Sequence, residues 1–311
     1  MKYIDMHCDT VTVCFDGGLN LRDCDLQISA EKLNRSDCAA QCFALFTQGD
    51  GAALRFGQYL GFYSAAAPEN FRPVTDGRDL AACISGGSTG AILTVENLGF
   101  IGDDLQKLEH LASAGVKMAS LVWNYENSLA YPNLVFKNGE PQFSVREPRG
   151  LKPAGRLAAE MLDNLKIILD ISHLSDGGAE ELLAGRKIPL VASHSNAAGV
   201  CGVCRNLTDG LIKKVADCGG VVGVNFCKDF LGEGDTLACV LAHVKHIINV
   251  GGEDAVAFGS DFDGIPAPPD METCLKMPAL VGYLSDGGIS GSVLEKLCYK
   301  NFARVFAEVC G

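Results

Sequence analysis

The chain has 311 residues, of which 48% are hydrophobic and 21% charged, a balance typical of a folded protein and unlike that of a disordered one. Its formal net charge of -12 and its pI near 4.9 would repel nucleic acid phosphates and anionic membrane surfaces. We therefore expect no nucleic acid and no membrane among its partners, and a small molecule as its ligand.

The amino-terminal segment MKYIDMHCDT lacks the apolar core of roughly 7 to 15 residues that secretory signals carry. No apolar run reaches the ~20 residues that cross a bilayer. The chain also contains 14 cysteines, and most of them lie in apolar segments, where a free thiol packs as a small hydrophobe. These features predict a cytoplasmic protein whose cysteines stay reduced. The isolated CxxC of Cys201 and Cys204 is interpreted as structural, since no second CxxC or histidine pair accompanies it.

Short runs rich in Val, Ile and Leu alternate with longer amphipathic stretches, a pattern typical of βα units and a parallel sheet. The predicted strands cover residues 3–6, 39–45, 90–95, 117–122, 166–171, 190–192, 221–225 and 255–259. Eight such strands predict an α/β fold of the (β/α)8 TIM-barrel type. The sequence contains no internal repeat or linker-like segment, which favours one domain spanning residues 1–311.

Helices are predicted between the strands, for instance at residues 105–114, 155–165, 178–184, 209–218 and 235–250. A final pair near residues 290–297 and 301–309 is expected to lie over the outside of the barrel. Residues 125–150 contain Pro, Asn, Gly and scattered charges without a clear period, so they are predicted to form a long loop after the fourth strand. This loop would overhang the carboxyl ends of the strands as a lid or a substrate wall.

Residues that can bind metals follow several of the predicted strands. His7 and Asp9 follow the first strand, Glu96 follows the third, and His173 and His194 follow the fifth and sixth. A parallel barrel gathers the carboxyl ends of its strands around one mouth, so these side chains should converge there. His7 and Asp9 are two residues apart and point the same way on an extended strand, so they can bind one ion. The two oxygens of Glu96 suit a bridge between two ions.

Each of these residues also has an ordinary structural explanation. A histidine at a strand end can be a hydrogen-bonded core residue, and Glu96 can form a salt bridge or cap the next segment. Such explanations require five independent coincidences, which favours the metal site. Asp170 and Ser193 are candidates for partners that hold the imidazoles in the required tautomer. The remaining histidines, His110, His243 and His246, lie on predicted helices and are interpreted as surface or packing residues.

Further polar residues follow the sixth and eighth strands. Asp263 precedes Gly264, and the Asp-Gly pair predicts a turn. Asp261 is better placed to face the mouth and to carry protons near a metal-bound water. Arg205 is predicted either to bind a substrate carboxylate or to form a surface ion pair.

Taken in order, the motifs HCD, TVEN, ILDISHLS, ASHSNA, CRN, GVVGVNF and FGSDFDG resemble those of the membrane dipeptidase (renal dipeptidase) family of zinc peptidases over most of the chain. The resemblance implies a (β/α)8 barrel of the metal-dependent hydrolase type. It also implies one Zn2+ ion held by His7 and Asp9, a second held by His173 and His194, and Glu96 bridging both.

The same resemblance implies that Asp261 is the acid/base group and that Arg205 binds the carboxylate of the substrate. Relatives carry a histidine near the scissile carbonyl after the fourth strand, and Trp123 and Asn124 occupy this region here. We expect both of them to contact the substrate. A substrate-binding tyrosine of the mammalian enzymes corresponds to Phe230, which lacks the hydroxyl.

These observations predict a zinc-dependent dipeptidase that cleaves its substrate with a hydroxide bridging two metals. One alternative is a related metal amidohydrolase acting on N-acyl amino acids or cyclic amides, since one site of this kind attacks many amides. Another is a catalytically silent barrel that binds metal or peptide. Nothing in the sequence excludes a homodimer.

Overall fold

A closed barrel of eight parallel strands forms the centre of the protein, which a computed structural model describes over residues 1–311. The whole chain contains eleven strands, eight of which form the barrel. They are β1 (Tyr3–Cys8), β2 (Cys38–Phe46), β3 (Arg72–Pro73), β4 (Gly90–Glu96), β5 (Met118–Ser120), β6 (Val135–Lys137), β7 (Glu140–Gln142), β8 (Ile168–Asp170), β9 (Val191–Ala192), β10 (Val221–Val224) and β11 (Val256–Phe258). Around the barrel they are ordered β1-β2-β4-β5-β8-β9-β10-β11, and β11 pairs with β1 to close it. All eight predicted strands are confirmed. They could be recognised in the sequence because a strand buried on both faces is a continuous apolar run.

The helices surround this barrel, and the predicted ones are present with small differences at their ends. They are α1 (Thr10–Asp16), α2 (Ala30–Arg35), α3 (Ala52–Asn70), α4 (Gly77–Ser85), α5 (Lys107–Ser113), α6 (Pro153–Asn164), α7 (Asp176–Leu183), α8 (Asp209–Asp217), α9 (Lys228–Leu231), α10 (Thr236–Gly251), α11 (Met277–Asp286), α12 (Gly291–Glu295) and α13 (Asn301–Cys310). Side chains of Ser175, Thr208 and Asp235 accept backbone N–H groups where α7, α8 and α10 begin, which satisfies donors that the helix leaves free. No helix combines the length and apolar composition needed to cross a membrane.

Helix α13 covers the amino-terminal end of the barrel, so the prediction that it lies over the outside was wrong. Its buried apolar side chains pack in one cluster with residues of all eight barrel strands. The α13 residues in this cluster are Phe302, Val305, Phe306, Val309 and Cys310. Arg304 donates to the carbonyl oxygens of Gly219 and Asp254, which precede β10 and β11. The helix therefore seals the end opposite to the predicted site, where the barrel interior would otherwise be open to water.

Histidine 243 is a buried packing residue of α10, as expected. Its Nδ1 accepts the N–H of Ala197 at 3.2 Å, and its Nε2–H donates to the carbonyl oxygen of Leu231 at 3.1 Å. The ring thus joins α10 to the segment after β9 and to α9. Burial lowers the pKa of His243 to about 4, although its bond to Leu231 opposes this change. The residue is therefore neutral in the folded protein at neutral pH.

We expect this histidine to make the metal-free protein less stable in mild acid. The unfolded chain takes up the proton near the ordinary pKa of 6.5, whereas the folded protein takes it up only near 4. The stabilisation is therefore fully present above pH 6.5 and is lost as the pH falls towards 4, by about 3 kcal/mol in all. Urea unfolding of the chelated protein between pH 7.5 and 4.5 should show a shallower decline for His243→Asn. The exposed His110→Asn is the control, and equal declines in all three proteins would contradict the assignment.

Candidate active site

The five predicted metal-binding residues meet at the carboxyl ends of the barrel strands. His7 lies within β1, Glu96 ends β4, and His173 and His194 follow β8 and β9. Asp9 comes immediately after β1, and all five side chains are buried. The structure therefore brings together residues that are up to 187 positions apart, as the strand pattern predicts.

Two groups of donor atoms surround the carboxylate of Glu96. On one side, His7 Nε2 lies 3.7 Å from Glu96 Oε2 and 3.3 Å from Asp9 Oδ2. On the other side, Glu96 Oε1 lies 2.9 Å from His173 Nε2 and 3.5 Å from His194 Nε2. Each oxygen of Glu96 thus faces a different pair of ligands, which is the arrangement expected of a carboxylate that bridges two cations.

Hydrogen bonds on the far side of two imidazoles determine which nitrogen faces Glu96. Ser193 Oγ donates its only proton to Asp170 Oδ2 at 2.5 Å, so His194 Nδ1 must donate to Ser193 Oγ at 2.8 Å. His173 Nδ1 lies 2.8 Å from Asn124 Oδ1, an acceptor. Both histidines therefore present an unprotonated Nε2 to the centre, which is the form that binds a metal. Ser193, itself bonded to Asp170, contacts His194 as predicted, whereas the partner of His173 is Asn124.

The electrostatics of this cluster call for a positive charge. Burial raises the pKa of Glu96 well above its usual value, and burial lowers the pKa values of His173 and His194. Burial also disfavours protonation of His7, but the carboxylates of Glu96 and Asp9 outweigh it and raise its pKa to about 10. Buried carboxylates and converging nitrogen lone pairs are costly unless a cation is shared between them. Nitrogen and carboxylate ligands of this kind fit Zn2+.

Asp261 lies beside the first group of donors and is held in an unusual backbone conformation. Its Oδ1 is 3.8 Å from His7 Nε2, and its Oδ2 accepts a hydrogen bond from Asn225 Nδ2 at 2.9 Å. Burial raises the pKa of Asp261 to about 6. Its φ of 66° lies in the left-handed region that aspartate rarely adopts. Asn225 was not identified from the sequence, although a polar residue directly after the apolar run of β10 was a usable signal.

Asp263 has the turn role predicted for it. It also adopts a positive φ, of 66°, and its carboxylate accepts hydrogen bonds from Thr10 Oγ1 at 2.5 Å and from the N–H of Gln27 at 2.7 Å. These contacts fix the segment that follows β11 against the segment that follows β1. Asp263 is thus occupied by these turn contacts, whereas Asp261 lies beside the ligand cluster.

Arg205 is buried beside the second group of donors and forms no surface ion pair. Its Nη2 donates to the carbonyl oxygen of His194 at 3.3 Å and lies 3.1 Å from His173 Nε2. Its Nε and Nη1 are buried without any hydrogen-bond partner. The guanidinium also lies 5.2 Å from the ring centre of Phe230. Two unpaired donors on a buried cation create a strong preference for an anionic group at this position.

A cavity of about 690 Å³ opens onto these residues. Trp123 forms part of its wall, with its ring 4.8 Å from that of Phe46. The predicted loop after β5 contains the β6–β7 hairpin, and it contributes the wall residues Leu134, Phe136, Pro141 and Phe143. As predicted, this loop overhangs the carboxyl ends of the strands, and it forms part of the cavity wall. The volume is typical of a site for a small molecule.

A (β/α)8 barrel with nitrogen and carboxylate ligands at the carboxyl ends of its strands defines a metal-dependent hydrolase. The family model described as "Membrane dipeptidase (Peptidase family M19)" matches residues 1–310. The chain therefore belongs to the membrane dipeptidase family and is a metallo-dipeptidase.

The chain is similar to one curated relative and to two solved structures in particular. The chain is 33% identical over 237 residues to a Klebsiella pneumoniae protein named as an uncharacterized protein in the pqqA 5' region, covering 74% of this chain and 86% of the relative. Among solved structures, dipeptidase AC, a metallo peptidase, superposes with a TM-score of 0.92 at 26% identity, covering 100% of this chain and 99% of its own. A metallo peptidase from Rhodobacter sphaeroides, solved with a phosphinate mimic of the dipeptide L-Ala-D-Ala, gives a TM-score of 0.88 at 25% identity, with 99% of each chain covered.

Gly264 gives a direct test of how tightly this site is built. A Cβ atom at this position would lie 2.2 Å from Asp9 Oδ2 and 2.6 Å from Asp261 Oδ1, so both carboxylates would have to move. We expect Gly264→Ala to reduce dipeptide hydrolysis about 100-fold, because displacements of about 1 Å at a reacting centre have effects of this size. In Gly202→Ala, where a Cβ meets nothing within 4 Å, activity should be unchanged. Equal kcat/KM values for the two variants would show that the carboxylates are not confined as described.

Proposed function

We propose that the chain is a dinuclear zinc dipeptidase in which His7 and Asp9 hold one ion, His173 and His194 hold the other, and Glu96 bridges them. The main support is the division of the Glu96 carboxylate. Its Oε2 faces His7 and its Oε1 faces His173, at 3.7 Å and 2.9 Å. The second support is the tautomer inferred for His173 and His194, which leaves each Nε2 available as a ligand.

Zn2+ held by these residues would supply a water molecule activated for attack near neutral pH and would polarise the scissile carbonyl. Asp261 accepts the proton of the nucleophile and passes it to the leaving amine. Its geometry suits this role, because Asn225 holds Oδ2 while Oδ1 remains directed towards the ligand cluster. Burial also raises the pKa of Asp261 above the usual range of a carboxyl group, which favours its taking up a proton.

Arg205 sets the length of the substrate in this proposal. Its unpaired Nε and Nη1 would bind the free carboxylate of the carboxyl-terminal residue through two hydrogen bonds. The amino terminus of the substrate would lie near Asp9, on the other side of Glu96. An enzyme that binds both termini at fixed places selects dipeptides over longer chains.

Trp123, Asn124 and Phe230 complete the substrate side of the site. Trp123 forms the wall next to His173, with the two ring centres 6.1 Å apart. Asn124 uses its Oδ1 for His173, which leaves its amide group to contact the substrate. The Phe230 ring supports the Arg205 guanidinium through a cation–π contact where a tyrosine hydroxyl is lacking. Because the proposed metal ligands and proton carrier come from segments between β1 and the residues after β11, we also propose that residues 1–311 act as one domain.

Two variants should distinguish loss of metal binding from loss of turnover. Purified wild-type protein should contain about two equivalents of zinc per chain, and Glu96→Gln should lose metal because the amide cannot bridge two cations. Asp261→Asn is the matched control, and it should retain its zinc while losing turnover, since only proton transfer is removed. Elemental analysis and dipeptide hydrolysis measure both quantities. Cleavage of N-acyl amino acids with no cleavage of dipeptides, or full turnover by Asp261→Asn, would contradict the proposal.

Recognition of the carboxylate predicts a second comparison. The wild type should hydrolyse a dipeptide far better than its carboxyl-terminal amide, which has no charge to pair with Arg205. In Arg205→Met, kcat/KM for the free dipeptide should fall about 100-fold, because a buried charge-assisted pair is worth about 2 to 5 kcal/mol. The amide substrate is the internal control, since its kcat/KM should change little. A parallel loss for both substrates would show that Arg205 does not bind the carboxylate.

A further inference from the structure

Two buried aspartates of the barrel make the same set of contacts. Asp170 Oδ1 and Oδ2 accept the N–H and the Oγ–H of Ser193, at 2.9 Å and 2.5 Å. Asp5 Oδ1 and Oδ2 accept the N–H and the Oγ–H of Ser260, at 2.8 Å and 2.6 Å. Each aspartate thus holds both the backbone and the side chain of one serine on the neighbouring strand. All four residues are buried.

The register of the barrel strands is also the same in both places. Asp170 of β8 pairs with Val191 of β9, and Ser193 comes two residues later. Asp5 of β1 pairs with Phe258 of β11, and Ser260 comes two residues later. The residue immediately after each serine belongs to the site, and these residues are His194 and Asp261. One arrangement is therefore repeated at two strand pairs of the barrel.

We propose that the pairs Asp170–Ser193 and Asp5–Ser260 are positioning residues, the first for His194 as a metal ligand and the second for Asp261 as the proton carrier. This inference rests on the proposed function, which assigns those two roles. Neither pair touches the substrate, and each acts through the residue that follows its serine.

The first pair controls which nitrogen of His194 is free. Since the Ser193 hydroxyl donates to Asp170, its oxygen can only accept from His194 Nδ1. The N–H of His194 is held as well, by Ser172 Oγ at 3.1 Å, and the N–H of Ser172 itself donates to Asp170 Oδ1 at 2.9 Å. Asp170 therefore fixes both the orientation and the tautomer of His194 before any metal binds.

The second pair controls the backbone around Asp261. Ser260 Oγ accepts the N–H of Phe262 at 3.1 Å while it donates to Asp5, so both neighbours of Asp261 are tied to one carboxylate. The N–H of Asp261 donates to the carbonyl oxygen of His7 at 3.2 Å. The left-handed conformation of Asp261 is unfavourable for a residue with a side chain, and these contacts hold it there. Asp5 also lies two residues before His7, so it links a metal ligand to the proton carrier.

The first test uses unaltered, metal-free protein. Two-bond 1H–15N correlation spectra of histidine-labelled protein report the tautomer of each ring, and His194→Gln identifies the signal of His194. We expect His194 to be protonated only at Nδ1, and the Ser193→Ala variant to lose this single tautomer. A wild-type His194 protonated at Nε2 would overturn the role given to Asp170 and Ser193.

The second test compares three serine substitutions. Ser193→Ala should lower zinc affinity about 10- to 100-fold. Ser260→Ala should keep the zinc affinity of the wild type and lower kcat about 10- to 100-fold, with KM unchanged. Ser195→Ala is the matched control, because this buried hydroxyl has no hydrogen-bond partner, and it should change neither quantity. Asp5→Asn gives a second probe of the Asp5–Ser260 pair, with a loss of kcat and unchanged metal content.

Merely structural roles would give a different pattern, in which Ser193→Ala and Ser260→Ala lose stability, zinc and turnover together. That pattern, or wild-type kcat in both Ser260→Ala and Asp5→Asn, would overturn the proposal. Failure of the proposed function is distinguishable, because it appears as a wild-type protein that cleaves no dipeptide. The tautomer and zinc-affinity measurements need no substrate, and they would still decide the role of Asp170 and Ser193.

Discussion

The site depends on the electrostatic cost of gathering carboxylates and imidazole lone pairs in a space from which water is largely excluded. Glu96 is the centre of this arrangement, since its two oxygens face different histidines and its burial favours the protonated form. A cation shared with these ligands removes the cost, whereas an apolar core offers no such relief. The same cost accounts for the hydrogen bonds to the two aspartates beneath the site, because a buried carboxyl group without donors is unfavourable in the barrel interior.

Backbone conformation is a second constraint, and it acts at the same positions. His173 and Asp261 have φ values of 68° and 66°, although neither residue favours the left-handed region. Asn97, directly after Glu96, has a φ of 70° and accepts the N–H of Gly99 with its side chain. Three segments that leave barrel strands thus turn sharply just where a functional side chain must point inward. Local hydrogen bonds compensate for this strain, as is common at active sites.

The sequence predicted the barrel well because each strand is buried on both faces and is therefore an uninterrupted apolar run. It also predicted where the candidate metal-binding residues meet, since polar residues that end such runs must lie at one rim. It did not predict that α13 covers the opposite end, because an apolar helix face does not specify which apolar surface it contacts. Nor did it identify Asn124 as the partner of His173 or Asn225 as the partner of Asp261. Those contacts depend on loop geometry, which has no period in the sequence.

Closure of the barrel joins β1 to β11, where Asp5 pairs with Phe258, a residue far away along the sequence. During synthesis, β1 leaves the ribosome long before β11 has been made. The edge of β1 that will pair with β11 therefore stays unpaired for most of translation. Asp261, whose Oδ1 lies 3.8 Å from His7 Nε2, arrives only with that late strand. The cluster of polar side chains around His7 is consequently complete only after the ring of strands has shut.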